Sequence, residues 1–321
     1  MYSMKFLYKI ITVAVGILFL YTIFNLILKT QDLNVLPYLN KLDPLKVVLS
    51  SAAYLASHFL RSIRVALMVG RQDYGLINLI GQQYYTNGIN LILPFKLGEF
   101  YRILEFNKII RDSERTFLTI VAERALDFFI LFVGLFVSLY FVNYNPVSVK
   151  FTIGVGTVFI AGVLLLYYVI PENIRSLNLF IAKRYSKKWT VRVLSISHKI
   201  YTVINSIKDI FRVKASSILI LTVAIWSLEL MGLFFVTDYL MEWKYIVILG
   251  FFVFLSSLIP SGSLGLGGLQ LAFFLVYKVQ PDFPYLALSM VYQFFIFFPA
   301  IILAFIIYII MKFRKNRIIT K

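Results

Sequence analysis

The stretch that decides the fold is Phe251-Phe-Val-Phe-Leu-Ser-Ser-Leu-Ile-Pro260-Ser-Gly-Ser-Leu-Gly-Leu-Gly-Gly268-Leu-Gln270-Leu-Ala-Phe-Phe-Leu-Val-Tyr277. It is apolar at both ends and broken in the middle, where four glycines and a proline fall within nine residues. Irregular backbone at membrane depth survives only where protein buries it or where it lines a wet cavity. The pattern predicts two half-helices meeting at an unwound glycine turn, the second starting near Gly268. The N–H groups opening that half-helix would point toward the bilayer midplane and suit an anion. The alternative is that the glycines serve only close helix packing. No strand precedes the segment and no Lys-Ser/Thr follows it, so a nucleotide-binding phosphate loop is not indicated.

A second interrupted run lies upstream, Gly75-Leu-Ile-Asn-Leu-Ile-Gly-Gln-Gln-Tyr-Tyr-Thr-Asn-Gly-Ile-Asn-Leu-Ile-Leu-Pro94. It carries Gln82, Gln83, Asn87 and Asn90 and is punctuated by Gly81, Gly88 and Pro94. Around these two segments, uninterrupted apolar runs fall near 8–28, 46–69, 116–142, 151–170, 216–237 and 285–311. About 20 residues cross a hydrocarbon core. The expected fold is an all-α polytopic membrane protein, with about six full spans and two re-entrant helical hairpins at 76–95 and 245–279. Eight full spans are the alternative.

Composition agrees. Of 321 residues, 60% are hydrophobic and 15% charged, too apolar for a water-soluble globule. Long continuous runs argue against a β-barrel. There is no cysteine and there are two histidines, His58 and His198, so neither a thiolate site nor a His-based zinc site is expected. No metal or other cofactor is expected. The first apolar run is too long for a signal peptide and is read as a span.

The net charge is +17. Nucleic acid is the wrong partner for such a chain; basic loops against an anionic inner leaflet explain the charge. With both odd runs re-entrant, twenty-three Lys and Arg fall inside, six outside and three within spans. That asymmetry predicts cytoplasmic N- and C-termini, with 96–115 and 171–214 inside and 143–150 and 238–244 outside. The chain then divides into half-repeats, 1–142 and 143–321, each reading span, span, hairpin, span in opposite orientation. Such an inverted repeat with broken segments at matching places points to a transporter site. The second half includes the loop 171–214, where Ile196, Ile200, Val203, Ile204, Ile207, Ile210 and Phe211 recur at helical spacing. This predicts an amphipathic helix on the inner leaflet or a linker helix beside the bundle.

Charges inside apolar runs are rare and seldom left unpaired. Glu123, Arg124 and Asp127 interrupt the run 117–142, and His58, Arg61 and Arg64 the run 46–69. Glu123 and Asp127 share a helix face, Arg124 is within reach of Asp127, and Arg61 or Arg64 is the expected interhelical partner. The cluster either ties the bundle together or forms a partly compensated pocket for phosphate, which Arg grips bidentately. Asn90, Pro94, Lys96, Gly98, Glu99 and Arg102 end the first odd run; an ordinary ion pair and a polar lining for an anionic headgroup both fit. Glu229, beside Trp226, is a lone carboxylate in the run 216–237, with proton coupling or pairing as its possible roles.

Three of these stretches carry a resemblance. Asn90…Pro94-Phe-Lys96-Leu-Gly98-Glu99…Arg102, Glu123-Arg124-Ala-Leu-Asp127 and Pro260-Ser-Gly-Ser-Leu-Gly-Leu-Gly-Gly268 resemble, in order, three motifs of the flippase-like membrane domain, also called the lysylphosphatidylglycerol synthase transmembrane region. Two departures stand out: Lys96 where Arg is commoner, and Leu269-Gln270 where a Glu often follows the glycine loop. The resemblance implies movement of lipid between leaflets of a bacterial inner membrane. With Arg61 and Arg64 taken from the charge pattern of the spans, it implies headgroup or phosphate contacts at Asn90, Lys96, Glu99, Arg102, Glu123, Arg124, Asp127, Pro260, Gly265, Gly267 and Gly268 within the motifs. The cargo would be an anionic phospholipid or a polyprenyl-phosphate-linked lipid. The chain ends at Lys321 without the soluble transferase that some members carry, so it is not expected to synthesise the lipid. An integral transferase acting on such a lipid, or an accessory subunit of a glycan- or lipid-modifying enzyme, are the alternatives.

Overall fold

The computed structural model describes residues 39–70, 75–94, 97–142, 154, 157, 188–238, 240–256, 262–278, 280 and 284–319. Among them are eight α-helices, one 3₁₀ turn and no strand. The helices are α1 (Pro44–Val69), α2 (Leu76–Ile92), α3 (Leu97–Ile110), α4 (Ser113–Val142), α5 (Lys188–Thr237), α6 (Trp243–Ser256), α7 (Gly268–Tyr277) and α8 (Tyr285–Ile319). The apolar runs near 8–28 and 151–170, apart from helical positions 154 and 157, lie outside the described residues, as do Lys96, Pro260 and the segment 143–150.

Two described segments, Lys214–Thr237 and Tyr285–Phe313, are long and apolar enough to cross a membrane. Helices α6 and α7 are apolar but only 14 and 10 residues long, about 21 and 15 Å at 1.5 Å per residue. Each falls short of a bilayer core about 30 Å thick.

The first interrupted run differs from its sequence reading. Gly81 and Gly88 do not break it; α2 is continuous from Leu76 to Ile92. Helix α3 resumes at Leu97 and lies back along α2, with Gly98 against Asn90 and Arg102 on Gln83, so the hairpin consists of α2 and α3 rather than lying within 76–95. The reason is packing. Gly81 faces Ile307, and a Cβ on Gly88 would collide with that of Ala304. Both glycines let α2 approach α8. The helix ends where Pro94 has no N–H to offer and constrains Leu93 away from helical geometry. Of the segment 96–115, assigned to the inside, residues 97–110 and 113–115 are helical.

The second interruption falls where expected. After α6, a 3₁₀ turn at Ser263–Gly265 leads into α7, which begins at Gly268. The described part of the 171–214 loop also forms helix: α5 runs from Lys188 to Thr237, with one break in helical geometry at Lys214 (φ −129°, ψ 17°).

The chain forms two compact units, each drawing on both sides of residue 142. The first takes its residues from Met1–Phe59, Ile80–Glu105 and Ile225–Lys321. In it α1 and α5 run antiparallel, fastened by Lys46 to Asp238, Ser50 Oγ to Gly232 O at 2.6 Å and Ser57 Oγ to Glu229 at 3.0 Å. Between lipid-embedded helices the hydrophobic effect offers little, so small residues and such hydrogen bonds provide the cohesion. Pro299 lies inside α8 and deprives Phe295 O of its helical donor; Ser51 Oγ of α1 supplies one at 2.8 Å. The second unit comprises Leu60–Leu79 and Phe106–Ala224. Met68, Ala122 and Ile218 form its apolar centre with Leu126 packed against them, and Lys214 Nζ donates to Leu67 O at 3.2 Å.

Candidate functional site

Within the second unit, Arg64 is the centre of the charge cluster. One terminal nitrogen donates to Asp127 Oδ1 at 2.7 Å and Thr222 Oγ1 at 2.9 Å. The other donates to Glu123 Oε1 at 2.8 Å and Asp127 Oδ2 at 3.1 Å. Thr222 passes its own proton to Ile218 O at 2.7 Å, which leaves its oxygen free to accept. Arg61 adds a contact to Asp127 at 3.2 Å and stands 3.9 Å from Glu123. Arg64, Glu123 and Asp127 are fully buried. Arg124 reaches Asp127 at 3.5 Å with 27% of its side chain exposed. The structure thus pairs Arg61 and Arg64 with Glu123 and Asp127, as the spacing indicates. Among the described residues the cluster sets three guanidinium groups beside two carboxylates.

Within the first unit, the Asn90–Arg102 stretch folds into a clasp between α2 and α3. Gly98 crosses directly over Asn90, and a Cβ there would run into the Cα and Oδ1 of Asn90. This close approach lets Asn90 Nδ2 donate to Glu99 Oε1 at 3.3 Å. Glu99 lies 3.7 Å from Arg102, one helical turn on, and Arg102 donates to Gln83 Oε1 at 2.9 Å. Because guanidinium can only donate, Gln83 must turn its amide nitrogen the other way. That nitrogen sits 3.4 Å from His58 Nδ1, which is thereby the acceptor, placing the imidazole proton on Nε2. His58 packs edge-on against Tyr54 at 4.8 Å between centroids, and the Tyr54 hydroxyl meets the Asn87 amide at 3.4 Å. Arg102, Gln83 and His58 are all buried. A polar seam thus runs Glu99, Arg102, Gln83, His58, Tyr54, Asn87, inside segments that are otherwise apolar.

The glycine turn in the same unit is held by two amides. Gly267 (φ +89°, ψ −57°) and Gly265 (φ +74°) adopt conformations that side chains resist. Leu264 is left-handed at φ +59°. Gln270 Oε1 accepts the Gly267 N–H at 2.7 Å, Gln270 Nε2 donates to Gln293 Oε1 at 3.3 Å, and Gln293 Nε2 donates to Leu264 O at 3.0 Å. The backbone groups at the two ends fix both amide orientations, one being only a donor and the other only an acceptor. Gln293 belongs to α8, so this strap ties the turn to that helix. Phe297 lies against Gly265, Tyr292 against Phe273 and Tyr54 against Phe297.

The residues singled out from sequence therefore fall into three groups. Asn90, Glu99 and Arg102 meet in the clasp, and Gly265, Gly267 and Gly268 in the turn, both in the first unit. Arg61, Arg64, Glu123, Arg124 and Asp127 meet in the second. Sequence reasoning noted Gln83 and His58 without giving them a role and passed over Tyr54, Thr222 and Gln293. The signal for Thr222 and Gln293 was the same as for Gln83: a polar side chain inside an apolar run. Glu229 is matched with Ser57.

The family described as lysylphosphatidylglycerol synthase TM region matches residues 9–304. No curated protein and no solved structure matches the chain.

Proposed function

The chain belongs to the lysylphosphatidylglycerol synthase TM region family, and on that premise we propose that it moves a lipid between the leaflets of a bacterial inner membrane. The cargo is an anionic phospholipid or a polyprenyl-phosphate-linked lipid. The observation that carries this reading is the buried seam from Glu99 to Asn87, built on an interrupted helix pair that shares α8 with the glycine turn. A charged headgroup crossing hydrocarbon meets a barrier of at least about 2.5–3.5 kcal/mol per charge on insertion scales. A row of amide, imidazole and guanidinium groups at that depth replaces part of the headgroup's hydration while the acyl or prenyl chains stay in lipid.

Arg102 is the cation of the seam, with Asn87, Asn90 and Gln83 as neutral hydrogen-bonding neighbours and Glu99 as the balancing carboxylate. Gly268 opens α7, while the N–H groups of Gly265 and Gly267 are engaged within the turn, by Gly262 O at 3.1 Å and Gln270 Oε1 at 2.7 Å; Lys96 and Pro260 belong to the same motifs. In the second unit, both terminal nitrogens of Arg64 are engaged by protein, and it serves to hold Glu123 and Asp127. Arg124 is the most exposed of the three arginines there, and a phosphate would approach the cluster from its side.

Reconstitution tests this. Liposomes holding fluorescent phosphatidylglycerol or a fluorescent polyprenyl phosphate are treated with an outer-leaflet quencher. Wild-type protein should move at least one probe faster than empty vesicles, and Arg102→Gln should abolish the difference while preserving insertion. If neither probe moves, with or without an ion gradient, the translocation reading gives way to an accessory role beside a lipid- or glycan-modifying enzyme.

A further inference from the structure

Helix α8 has a gap in its own hydrogen-bond ladder at a place that matters for both the α2–α3 clasp and the glycine turn of the first unit. Pro299 cannot donate to Phe295 O. The missing donor comes from outside the helix, from Ser51 Oγ on α1 at 2.8 Å. That same hydroxyl stands 3.1 Å from Val47 O, one turn back on its own helix. A hydroxyl has one proton to donate, so Ser51 serves Phe295 in the arrangement seen here and has Val47 as a ready second acceptor.

The clasp and the glycine turn attach on opposite sides of this gap. N-terminal to Pro299, Gln293 holds Leu264 O at 3.0 Å, Tyr292 packs on Phe273 and Phe297 lies beside Gly265; these residues hold the glycine turn and α7. C-terminal to it, Ala300 and Ala304 receive Gly88, and Tyr308 stacks on Tyr85 at 5.7 Å; these hold the α2–α3 clasp.

We infer that Pro299 is a hinge in α8 latched by Ser51, and that bending there moves the glycine turn and α7 relative to the α2–α3 clasp. In the latched state Ser51 satisfies Phe295 O. In the bent state Ser51 turns to Val47 O, so its proton is never without an acceptor. Helices bend sharply where proline removes a rung of the ladder, and inside a membrane the freed carbonyl needs a substitute donor. This inference concerns motion and is read without any lipid substrate, so its failure and that of the translocation reading are separable.

The chain has no cysteine, so spin labels can be placed at will. Leu271 on α7 and Phe100 on α3 are both exposed; Leu271→Cys and Phe100→Cys carry labels without touching the seam. Distances are measured by pulsed electron resonance on the full chain in nanodiscs. Wild type should show two distance populations. Ser51→Ala leaves Phe295 O without a donor in the latched state, whereas Val47 O keeps its helical N–H in the bent one, and should enlarge the population other than the latched one about three- to tenfold. Pro299→Ala restores the rung and should leave a single population. In the Pro299→Ala background, Ser51→Ala should change neither the distances nor the melting temperature. A single unchanged distance in wild type, Ser51→Ala and Pro299→Ala overturns the hinge. Equal loss of melting temperature from Ser51→Ala in both backgrounds overturns the latch. If Pro299→Ala does not insert, the Ser51→Ala distances decide alone, an unchanged distribution counting against the hinge.

Discussion

Replacing Arg64 with alanine is the sharpest test of the charge cluster. The guanidinium makes four hydrogen bonds, at 2.7, 2.8, 2.9 and 3.1 Å, to Asp127, Glu123 and Thr222. All three charged groups are fully buried. Removing it leaves two carboxylates one turn apart on α4, with Arg61 at 3.2 Å from Asp127 but 3.9 Å from Glu123. Breaking a buried pair from one side destabilises by about 3–5 kcal/mol, because the stranded charge keeps its desolvation penalty. Arg124 is the internal comparison. It meets the same Asp127 at 3.5 Å with 27% of its side chain exposed, and partly solvated pairs contribute only about 0–1 kcal/mol. The expected order of destabilisation is Arg64→Ala, then Arg61→Ala, then Arg124→Ala. Melting followed by size-exclusion fluorescence in detergent should show Arg64→Ala falling on the order of 10 °C, with Arg124→Ala close to wild type. Adding Glu123→Gln to Arg64→Ala should recover part of the loss, since one stranded charge is gone. Equal melting temperatures for Arg64→Ala and wild type would refute the reasoning, as would Arg124→Ala being the worse of the two.

Three further outcomes are expected. Gly98→Ala should loosen the α2–α3 clasp by about 1–3 kcal/mol, seen as a lower melting temperature; Asn90→Ala should not rescue it, because the new Cβ also meets the Asn90 Cα. Gln293→Leu removes both the donor to Leu264 O and the acceptor of Gln270, and should lower the melting temperature by more than Gln293→Glu, which keeps an acceptor for Gln270. For topology, a cysteine introduced at Glu242 should react with an impermeant thiol reagent in intact cells and one at Ser197 only after lysis; labelling of Ser197→Cys from outside would invert the orientation.

The glycine turn also changes which substitution is informative there. Among the described residues nothing lies within 4 Å of where a Cβ on Gly267 would sit, so on that count alone a larger residue would be tolerated and would serve as a plug. Its φ of +89° with ψ −57° is a backbone state that side chains adopt only at about 1–3 kcal/mol. Gly267→Leu would therefore strain the turn before it obstructed anything, and loss of activity in it would not separate blockage from misfolding. The two glutamines probe the same turn without that backbone strain.

Much of the site was legible because charge and polarity inside an apolar run leave few options. The i,i+4 spacing of Glu123 and Asp127 put both carboxylates on one face, and Arg61 and Arg64 were the nearby cations on another buried run. The start of α7 at Gly268 followed from four glycines that a lipid-facing helix does not hold. The same logic failed at Gly81 and Gly88. A glycine in a helix reads identically whether it breaks the helix or lets a neighbour approach, and only the presence of Ala304 and Ile307 opposite decides which.

By itself, then, the sequence determined the all-helical class, the membrane setting, the family, and the residues that had to find partners, because each follows from composition, period or local spacing. Tertiary structure decided who the partners are. Thr222 and Gln293 lie far along the chain from the groups they serve, Ser51 compensates a proline 248 positions away, and Gln83 orients His58 only because Arg102 claims its oxygen. Hydrogen bonds are directional and reach about 3 Å, so such assignments depend on the distance and facing of helices, which no one-dimensional pattern encodes.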